Sequence, residues 1–516
     1  MNKEKPPYFS YIVCLLLAVI HTGVTFITDK SIFEFQSINA EHITTAVVDY
    51  FICKILLMVV LYAFYYGLYV LFLKKDESHN RLVEILKAAA PYLIVIAGAL
   101  IIKLPAGYIT NDENSIYANA ITLTHDTWFY YITTYYYIIS IMLLPFKYGP
   151  IIVKAIIQFL TVGYVVYRIK KYYGKRLGMW GYLVFLIYPV IAYTTSAHRL
   201  PIYFLIYLVV FSKLLFDGLE EHSISRLEEY VLIFAGALLT QWRTEGIYLA
   251  VLIPILLLFA YKNLRNKRAV IALIFASLLI QYVVSIPQNG FTAKDLDSAA
   301  NDRMKPFYAY TITNMYRNGL DLEKNAEDLA IVDKYLSLEQ VKAINEYYVD
   351  INYEDAFILY EPGYVGVREE ASVEDFVNYS DALKRIFINN PDVFIKTRIG
   401  AFCYAAVPYH ITFSGTSVRE LISFGISIVK FFAYNLFIPC GICLVLLVMA
   451  LIKRRWYSFF VFGGLLAHWF IVFVLAPASY FKYYFPIYIM GYFYAVVLIL
   501  YKYSKLKGKT IKDPLY

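Results

Sequence analysis

Long apolar runs recur along the whole chain and constrain its fold more than any other feature. An α-helix needs roughly 20 apolar residues to cross about 30 Å of hydrocarbon. The chain has 516 residues, of which 60% are hydrophobic and only 17% charged. Apolar runs occur at about 8–28, 50–73, 86–103, 130–146, 150–167, 178–193, 200–216, 229–242, 247–261, 269–287, 430–452, 456–476 and 483–501. The pattern predicts an all-α polytopic membrane protein with about 12–13 transmembrane helices.

One block of the chain, residues 288–420, interrupts these runs and has the composition of a soluble region. It contains 21 acidic and 13 basic residues, whereas the rest of the chain contains 18 acidic and 34 basic residues. We therefore predict an N-terminal transmembrane module at 1–287, with a large outer loop at 104–129. The extracytoplasmic loop region at 288–420 then separates this module from C-terminal transmembrane helices at 421–516.

Basic residues cluster in short loops, and this clustering predicts the orientation of the chain. Short loops rich in Lys and Arg stay in the cytoplasm, and such loops lie near 74–81, 168–176, 262–268, 453–455 and 502–509. Both termini are then cytoplasmic, and the acidic block is outside the cell membrane. Because the charge is segregated in this way, the net charge of +8 does not indicate a nucleic-acid partner.

The alternation of loops across the membrane leaves one difficulty, at the segments 130–146 and 150–167. These two runs lie between a predicted outer loop and the basic loop that begins at Arg168. Two full crossings would place that basic loop outside. We therefore expect that one of the two segments does not cross the membrane fully.

Four polar clusters lie at the predicted outer ends of helices. A carboxylate held where a helix leaves the lipid has a raised pKa or a cationic partner, and either suits a general base. Each cluster also has a structural alternative: solvated acids, a buried Arg–Glu pair or a lysine that reaches toward water. Together they predict a site for an anionic lipid head group and a polar, ring-shaped substrate. The clusters are Asp112 with Glu113, His198 with Arg199, Arg243 with Glu245, and Tyr480 with Lys482 and Tyr483.

This layout resembles the integral-membrane GT-C glycosyltransferases, the superfamily of protein mannosyltransferases and lipid A aminoarabinose transferases. In those enzymes the first large outer loop begins with a catalytic carboxylate, which Asp112, or else Glu113, matches. Lysine stands here where the last family motif usually has arginine, and two extra helices precede the first outer loop. Polar residues of a second outer loop, an R-x-x-G hairpin and an R-Y-x-x-P helix start are matched at 198–199, 243–246 and 482–486.

The resemblance implies a membrane glycosyltransferase that uses a polyprenyl-phosphate sugar as donor and a glycan, lipid or protein as acceptor. A carboxylate would deprotonate the acceptor hydroxyl, which would attack the anomeric carbon with inversion on the outer face of the membrane. His198, Arg199, Arg243, Glu245, Tyr480, Lys482 and Tyr483 would bind the substrates. No cofactor is required, although Asp112 and Glu113 could hold a divalent metal ion.

Two functions of other classes stay open on the sequence. A lipid-linked polysaccharide polymerase or ligase shares the many helices and the large outer loop, and would rely on outer-face arginines. A flippase or transporter of cell-envelope glycans should carry charged residues near the middle of the membrane. The ionisable residues of this chain are instead expected to gather at helix ends, which favours the glycosyltransferase.

Overall fold

The computed structural model describes residues 7–516 with the exception of 39, 41–42, 109, 126–127, 195, 197–198, 265–266, 295, 348–365, 369, 414 and 477. The chain forms two compact units. The first unit combines Met1–Pro287 with Tyr492–Tyr516, and the second unit is Gln288–Gly491. The first unit is therefore discontinuous in sequence, and the second unit is inserted into it.

The first unit consists of helices joined by short turns. Several of its α-helices begin at side-chain caps, because the first backbone N–H groups of a helix need acceptors. Helix α14 continues into the second unit. The α-helices are α1 Pro7–Asp29, α2 Ile43–Phe72, α3 Glu77–Ala89, α4 Leu93–Ala106, α5 Asn111–Thr122, α6 Tyr131–Leu143, α7 Gly149–Tyr173, α8 Lys175–Gly178, α9 Leu183–Leu186, α10 Tyr188–Thr194, α11 Arg199–Leu219, α12 Arg226–Thr240, α13 Leu249–Ala260 and α14 Lys267–Lys294.

The second unit is also helical. Aromatic and aliphatic side chains from α15 to α18, including Phe307, Tyr335 and Tyr379, form its buried core. Among the described residues, the only β-type pairing is an isolated bridge between Leu336 and Val367. Helix α23 ends in the first unit. The α-helices are α15 Leu296–Arg317, α16 Ala326–Tyr335, α17 Leu338–Tyr347, α18 Val373–Asn389, α19 Pro391–Ala406, α20 Val418–Ala433, α21 Phe437–Ile452, α22 Trp456–Leu475 and α23 Phe485–Leu506.

The helices confirm the predicted all-α polytopic membrane fold. Within the part of the chain that the structure describes, nine helical segments are long and apolar enough to cross a membrane. A tenth is added if Lys175–Leu186 and Tyr188–Thr194, which meet at 70°, form one broken span. The nine are Tyr8–Asp29, Ile43–Phe72, Glu77–Ala106, Gly149–Tyr173, Arg199–Leu219, Ile271–Gln288, Val418–Ile452, Trp456–Leu475 and Phe481–Leu506.

This number is lower than the expected 12–13 because three predicted runs form shorter helices and a fourth, 178–193, forms the broken pair of helices. Helices α6, α12 and α13 have 13, 15 and 12 residues, which gives lengths of about 18–23 Å at 1.5 Å per residue. The two segments at 130–146 and 150–167 also differ in this respect. Helix α7 has 25 residues, whereas α6 is too short to cross about 30 Å of hydrocarbon.

Two glycines of the first unit lie at close contacts between elements. A Cβ atom at Gly163 of α7 would lie 2.6 Å from the carbonyl oxygen of Ile85, so α3 packs directly on the α7 backbone. A Cβ atom at Gly218 of α11 would lie 1.7 Å from the hydroxyl of Tyr516. We call residues 507–516 the C-terminal strap, because they run across the ends of α7 and α11.

The strap is fixed by polar contacts as well as by the notch at Gly218. The Tyr516 hydroxyl donates to the carbonyl oxygen of Leu214 at 3.2 Å. Lys512 forms an ion pair with Glu221 at 2.5 Å, and Lys509 donates to the carbonyl oxygen of Tyr173 at 3.0 Å. Lys262 and Lys512 hold the pKa of the exposed Glu221 carboxyl at about 2, so Glu221 stays ionised at neutral pH.

Candidate functional site

The first predicted cluster lies at the start of α5. Helix α4 ends at Gly107, whose φ of 68° is a conformation that favours glycine. Helix α5 then begins with a capping box, in which Thr110 and Glu113 each bind the other's backbone N–H. The box places Asp112 and Glu113 in the first helical turn. Asp112 is partly exposed, whereas Glu113 is fully buried.

Glu113 is surrounded by hydrogen-bond donors. Its Oε2 atom lies 3.2 Å from the Lys103 ammonium, and both side chains are almost entirely buried. Its Oε1 atom accepts a hydrogen bond from the Ser196 hydroxyl at 3.0 Å. The carboxylate therefore connects the end of α4, the start of α5 and Ser196, which lies between α10 and α11. The sequence did not predict these contacts of Glu113 with Lys103 and Ser196.

Two further buried side chains of α7 bind the end of α10. Lys154 is fully buried, and its ammonium donates to the carbonyl oxygen of Thr194 and, at 3.3 Å, to that of Tyr193. Gln158 donates to the Thr194 hydroxyl at 2.6 Å. Neither side chain was among the predicted site residues. The sequence feature that could have identified Lys154 is that it is a single lysine within an apolar run. An ionisable group there costs free energy unless it is paired or functional.

Arg199 is the first residue of α11. Its guanidinium carbon lies 5.2 Å from the centre of the Phe129 ring. Its carbonyl oxygen accepts a hydrogen bond from the Trp242 indole at 2.7 Å. The predicted partner His198 lies outside the described residues. Arg199 therefore connects the start of α11 to the turn that carries Arg243.

Arg243 and Glu245 form the ion pair that was the structural alternative for the third cluster. Two parallel contacts join them, from Nε at 3.2 Å and from Nη2 at 2.6 Å. The Arg243 side chain is buried, and that of Glu245 is partly exposed. Such a two-pronged geometry fixes the orientation of the guanidinium. Within the first unit, Glu113 binds Ser196 near the start of α11, and Arg199 binds Trp242, the residue before Arg243. These contacts connect three of the predicted clusters.

The fourth cluster lies in the second unit, in a single turn of 3₁₀ helix at Phe481–Tyr484. The Lys482 ammonium lies 4.9 Å from the centre of the Tyr480 ring and 5.9 Å from that of Tyr483. All three side chains are partly exposed. A lysine between two aromatic rings has a restricted orientation while its charge stays accessible to a ligand.

A buried polar cluster that the sequence did not predict joins α1 and α2. Lys54 forms an ion pair with Asp29, and Tyr50 donates to the same carboxylate at 2.5 Å. Asp49 lies 2.7 Å from Nε2 of His125. Lys54 is about 17 Å along α2 from its start, at 1.5 Å per residue. The expectation that ionisable residues gather at helix ends is therefore wrong for Lys54, whereas its partner Asp29 is the last residue of α1.

The environment of Asp112 is rich in buried tyrosines. Burial raises the pKa of Tyr108, and nearby Tyr117 and Glu113 raise it further. The Tyr108 hydroxyl stays protonated and donates to the carbonyl oxygen of Lys147 at 2.5 Å. Among the residues that the structure describes, no group of three or more His, Cys, Asp or Glu side chains could hold a metal ion. The expectation that no cofactor is required stays a prediction.

Comparison with known proteins found no match to this chain. No protein-family model matches it, and no curated protein or solved structure matches it either. The fold and the contacts described above are therefore the basis on which a function can be argued. They define a polytopic membrane protein with a buried polar network beneath the partly exposed Asp112.

Proposed function

We propose that the chain is a membrane glycosyltransferase of the GT-C type, which transfers a sugar from a polyprenyl-phosphate donor to an acceptor on the outer face of the membrane. One observation carries the proposal. The hydrogen bond from Ser196 to Glu113 joins the two segments that we predict to be the first and second outer loops, which supports a site shared by both. The neighbouring Asp112 is partly exposed at this junction.

Asp112 is the general base in this proposal. Both oxygen atoms of Glu113 already accept hydrogen bonds or face Lys103, so Glu113 fits a supporting role. Asp112 lies in the same helical turn and has a shorter side chain with a more restricted position. A base must approach the proton that it removes to about 3 Å, and a partly exposed side chain can approach a bound acceptor.

The proposed reaction is a single inverting displacement. The acceptor oxygen transfers its proton to Asp112 and forms a bond to the anomeric carbon, while the bond from that carbon to the phosphate oxygen breaks. The polyprenyl phosphate leaves with the electron pair. In the first unit, Arg243 is suited to bind its negative charge, and Arg199, His198 and Glu245 would contact the sugar or the acceptor. In the second unit, Lys482 is likewise suited to bind a phosphate, with Tyr480 and Tyr483 beside it.

Replacement of Asp112 tests the proposal. Asp112→Asn keeps the shape of the side chain but removes its basicity, and loss of a positioned base typically lowers the rate by about 10² to 10⁴. The assay supplies purified protein with a panel of polyprenyl-phosphate sugars and membrane extract as acceptor, and measures free polyprenyl phosphate. We expect wild-type protein to release it and Asp112→Asn to release almost none.

A matched control separates catalysis from helix stability. Glu374 occupies the same position as Asp112, one residue before the acidic residue of a capping box, at the start of α18. Asp112→Asn and Glu374→Gln should each cost about 0.3–1 kcal/mol of helix-dipole stabilisation. Only Asp112→Asn should abolish transfer. Full activity of Asp112→Asn, or no release by the wild-type protein, would refute the proposal.

A transporter of cell-envelope glycans is the second candidate, and the buried Asp29–Lys54 pair favours it. Ionisable residues within a membrane helix often mark a transport pathway. The same panel of lipid-linked sugars separates the two functions. A transporter moves the donor between the leaflets of a vesicle and leaves it chemically intact, whereas a glycosyltransferase converts it to polyprenyl phosphate.

A further inference from the structure

Arg398, on α19, is a buried cation of the second unit with an unusual set of partners. Its side chain is only 2% exposed. A buried charge normally pairs with an opposite charge, because removing it from water is expensive. Among the described residues, Arg398 instead contacts backbone carbonyls and aromatic rings. Its Nε atom donates to Phe473 at 2.6 Å, and its Nη2 atom donates to Ala476 at 2.8 Å.

The two carbonyl oxygens lie at the C-terminal end of α22, Trp456–Leu475. Phe473 is in the last turn of the helix, and Ala476 is its C-cap. The last carbonyls of a helix lack partners within the helix and carry partial negative charge. The planar guanidinium of Arg398 satisfies two of them at once. The rings of Phe307 and Tyr310 lie 5.8 and 5.9 Å from its guanidinium carbon. Helix C-terminus and ring faces together compensate the buried charge.

The same end of α22 leads directly to Lys482. After Ala476 the chain is held again at Ser479, whose hydroxyl shares a hydrogen bond with that of Tyr310. Beyond Lys482, the carbonyl oxygen of Tyr483 lies 2.9 Å from Nε2 of His468. Lys482 therefore lies between anchored points, and Arg398 and Tyr310 provide those on its N-terminal side.

We propose that Arg398 is a positioning residue, which fixes the segment 478–484 so that Lys482 presents its ammonium to the donor phosphate. This role rests on the proposed function for the identity of the ligand, but the position of the segment can be measured without it. Arg398 does not touch the ligand in this proposal. Its effect passes through the backbone of the segment.

The variant Arg398→Lys tests this role. Lysine keeps the positive charge but has a single ammonium in place of the planar fork, so it cannot bind the carbonyls of Phe473 and Ala476 in the same geometry. We expect the KM for the polyprenyl-phosphate donor to rise about tenfold, the change for one weakened charged contact, with little change in kcat. Arg385→Lys on the exposed face of α18 is the matched control and should leave both constants unchanged.

Two further measurements keep the test decisive. Tyr310→Phe removes only the hydroxyl that binds Ser479 and should raise the same KM to a smaller extent. Thiol labelling of Lys482→Cys, in a Cys403→Ser background, reports the position of the segment without any substrate. We expect Arg398→Lys to change the labelling rate about fivefold, because a released segment opens more often.

The outcomes separate this proposal from the proposed function. A wild-type protein that consumes no lipid-linked sugar refutes the proposed function, and the labelling rate then decides the positioning role alone. Unchanged labelling in Arg398→Lys refutes the positioning role whatever the activity. A fall in kcat at constant KM, with unchanged labelling, would identify Arg398 as a general structural residue only.

Discussion

At the scale of single residues, the buried carboxylate of Glu113 makes several polar contacts in the first unit. Glu113 completes a capping box, pairs with Lys103 and accepts a hydrogen bond from Ser196. Each contact occupies an oxygen atom that water would otherwise bind. A carboxylate used in this way stabilises the junction of α4 and α5, whereas the neighbouring Asp112 is partly exposed.

The variant Glu113→Gln should therefore destabilise the protein rather than leave it intact. Removing one partner of a buried ion pair costs about 3–5 kcal/mol, because the other charge stays buried and uncompensated. We expect the thermal unfolding midpoint of the purified protein in detergent to fall clearly. The double variant Lys103→Met with Glu113→Gln should recover part of the loss. A single variant that unfolds at the wild-type temperature would contradict this role.

The sequence showed which residues to consider for a site but not how each is buried. Asp112 and Glu113 are adjacent acids just after an apolar run, and the resemblance to the GT-C pattern added their proposed roles. Which carboxylate is buried depends on Ser196, which is 83 positions away in the chain. Lys154 was visible as one lysine in an apolar run, but its carbonyl partners become neighbours only when α7 and α10 pack together.

Helix ends and close contacts matter most at the scale of elements. The long apolar runs and the caps at Thr110 and Ser225 are local patterns, so the sequence predicted most long helices. The short helices α6, α12 and α13 were overestimated, because apolar composition does not reveal where a buried turn ends a helix. The C-terminal strap was not predicted, since its partners on α11 are about 300 residues away.

The notch at Gly218 provides a test of the strap. Gly218→Ala places a methyl group where the Tyr516 hydroxyl lies, so the strap should detach from α11. We expect trypsin to cleave the strap about ten times faster in limited proteolysis, since cleavage follows the population of the open form. Gly67→Ala is the control, because its added Cβ would have no neighbour within 4 Å. Equal cleavage of both variants would exclude the notch as the anchor.

Charge distribution determines orientation at the scale of the whole molecule. Short basic loops resist translocation, so the loop that contains Lys175 should be cytoplasmic and the acidic block should be outside. Single cysteines at Lys175 and Glu323 test this, since both side chains are exposed. Cys403 is replaced by serine because it is also exposed.

The labelling experiment uses a membrane-impermeant maleimide on intact cells. We expect Glu323→Cys to react at once and Lys175→Cys to react only after the cells are permeabilised. The reason is that the maleimide cannot cross the bilayer to a cytoplasmic thiol. Reaction at position 175 in intact cells would overturn the orientation, and with it the placement of Asp112 outside.

The discontinuity of the first unit has a consequence for biosynthesis. Residues 1–287 leave the ribosome before the roughly 200 residues of the second unit, and residues 492–516 follow last. At about 5–20 residues per second, this delay is on the order of 10–40 s. Throughout that time the notch at Gly218 is empty and Glu221 lacks Lys512. The nascent protein therefore has to persist in the membrane with an incomplete first unit, and assembly factors that recognise such intermediates have a defined interval in which to act.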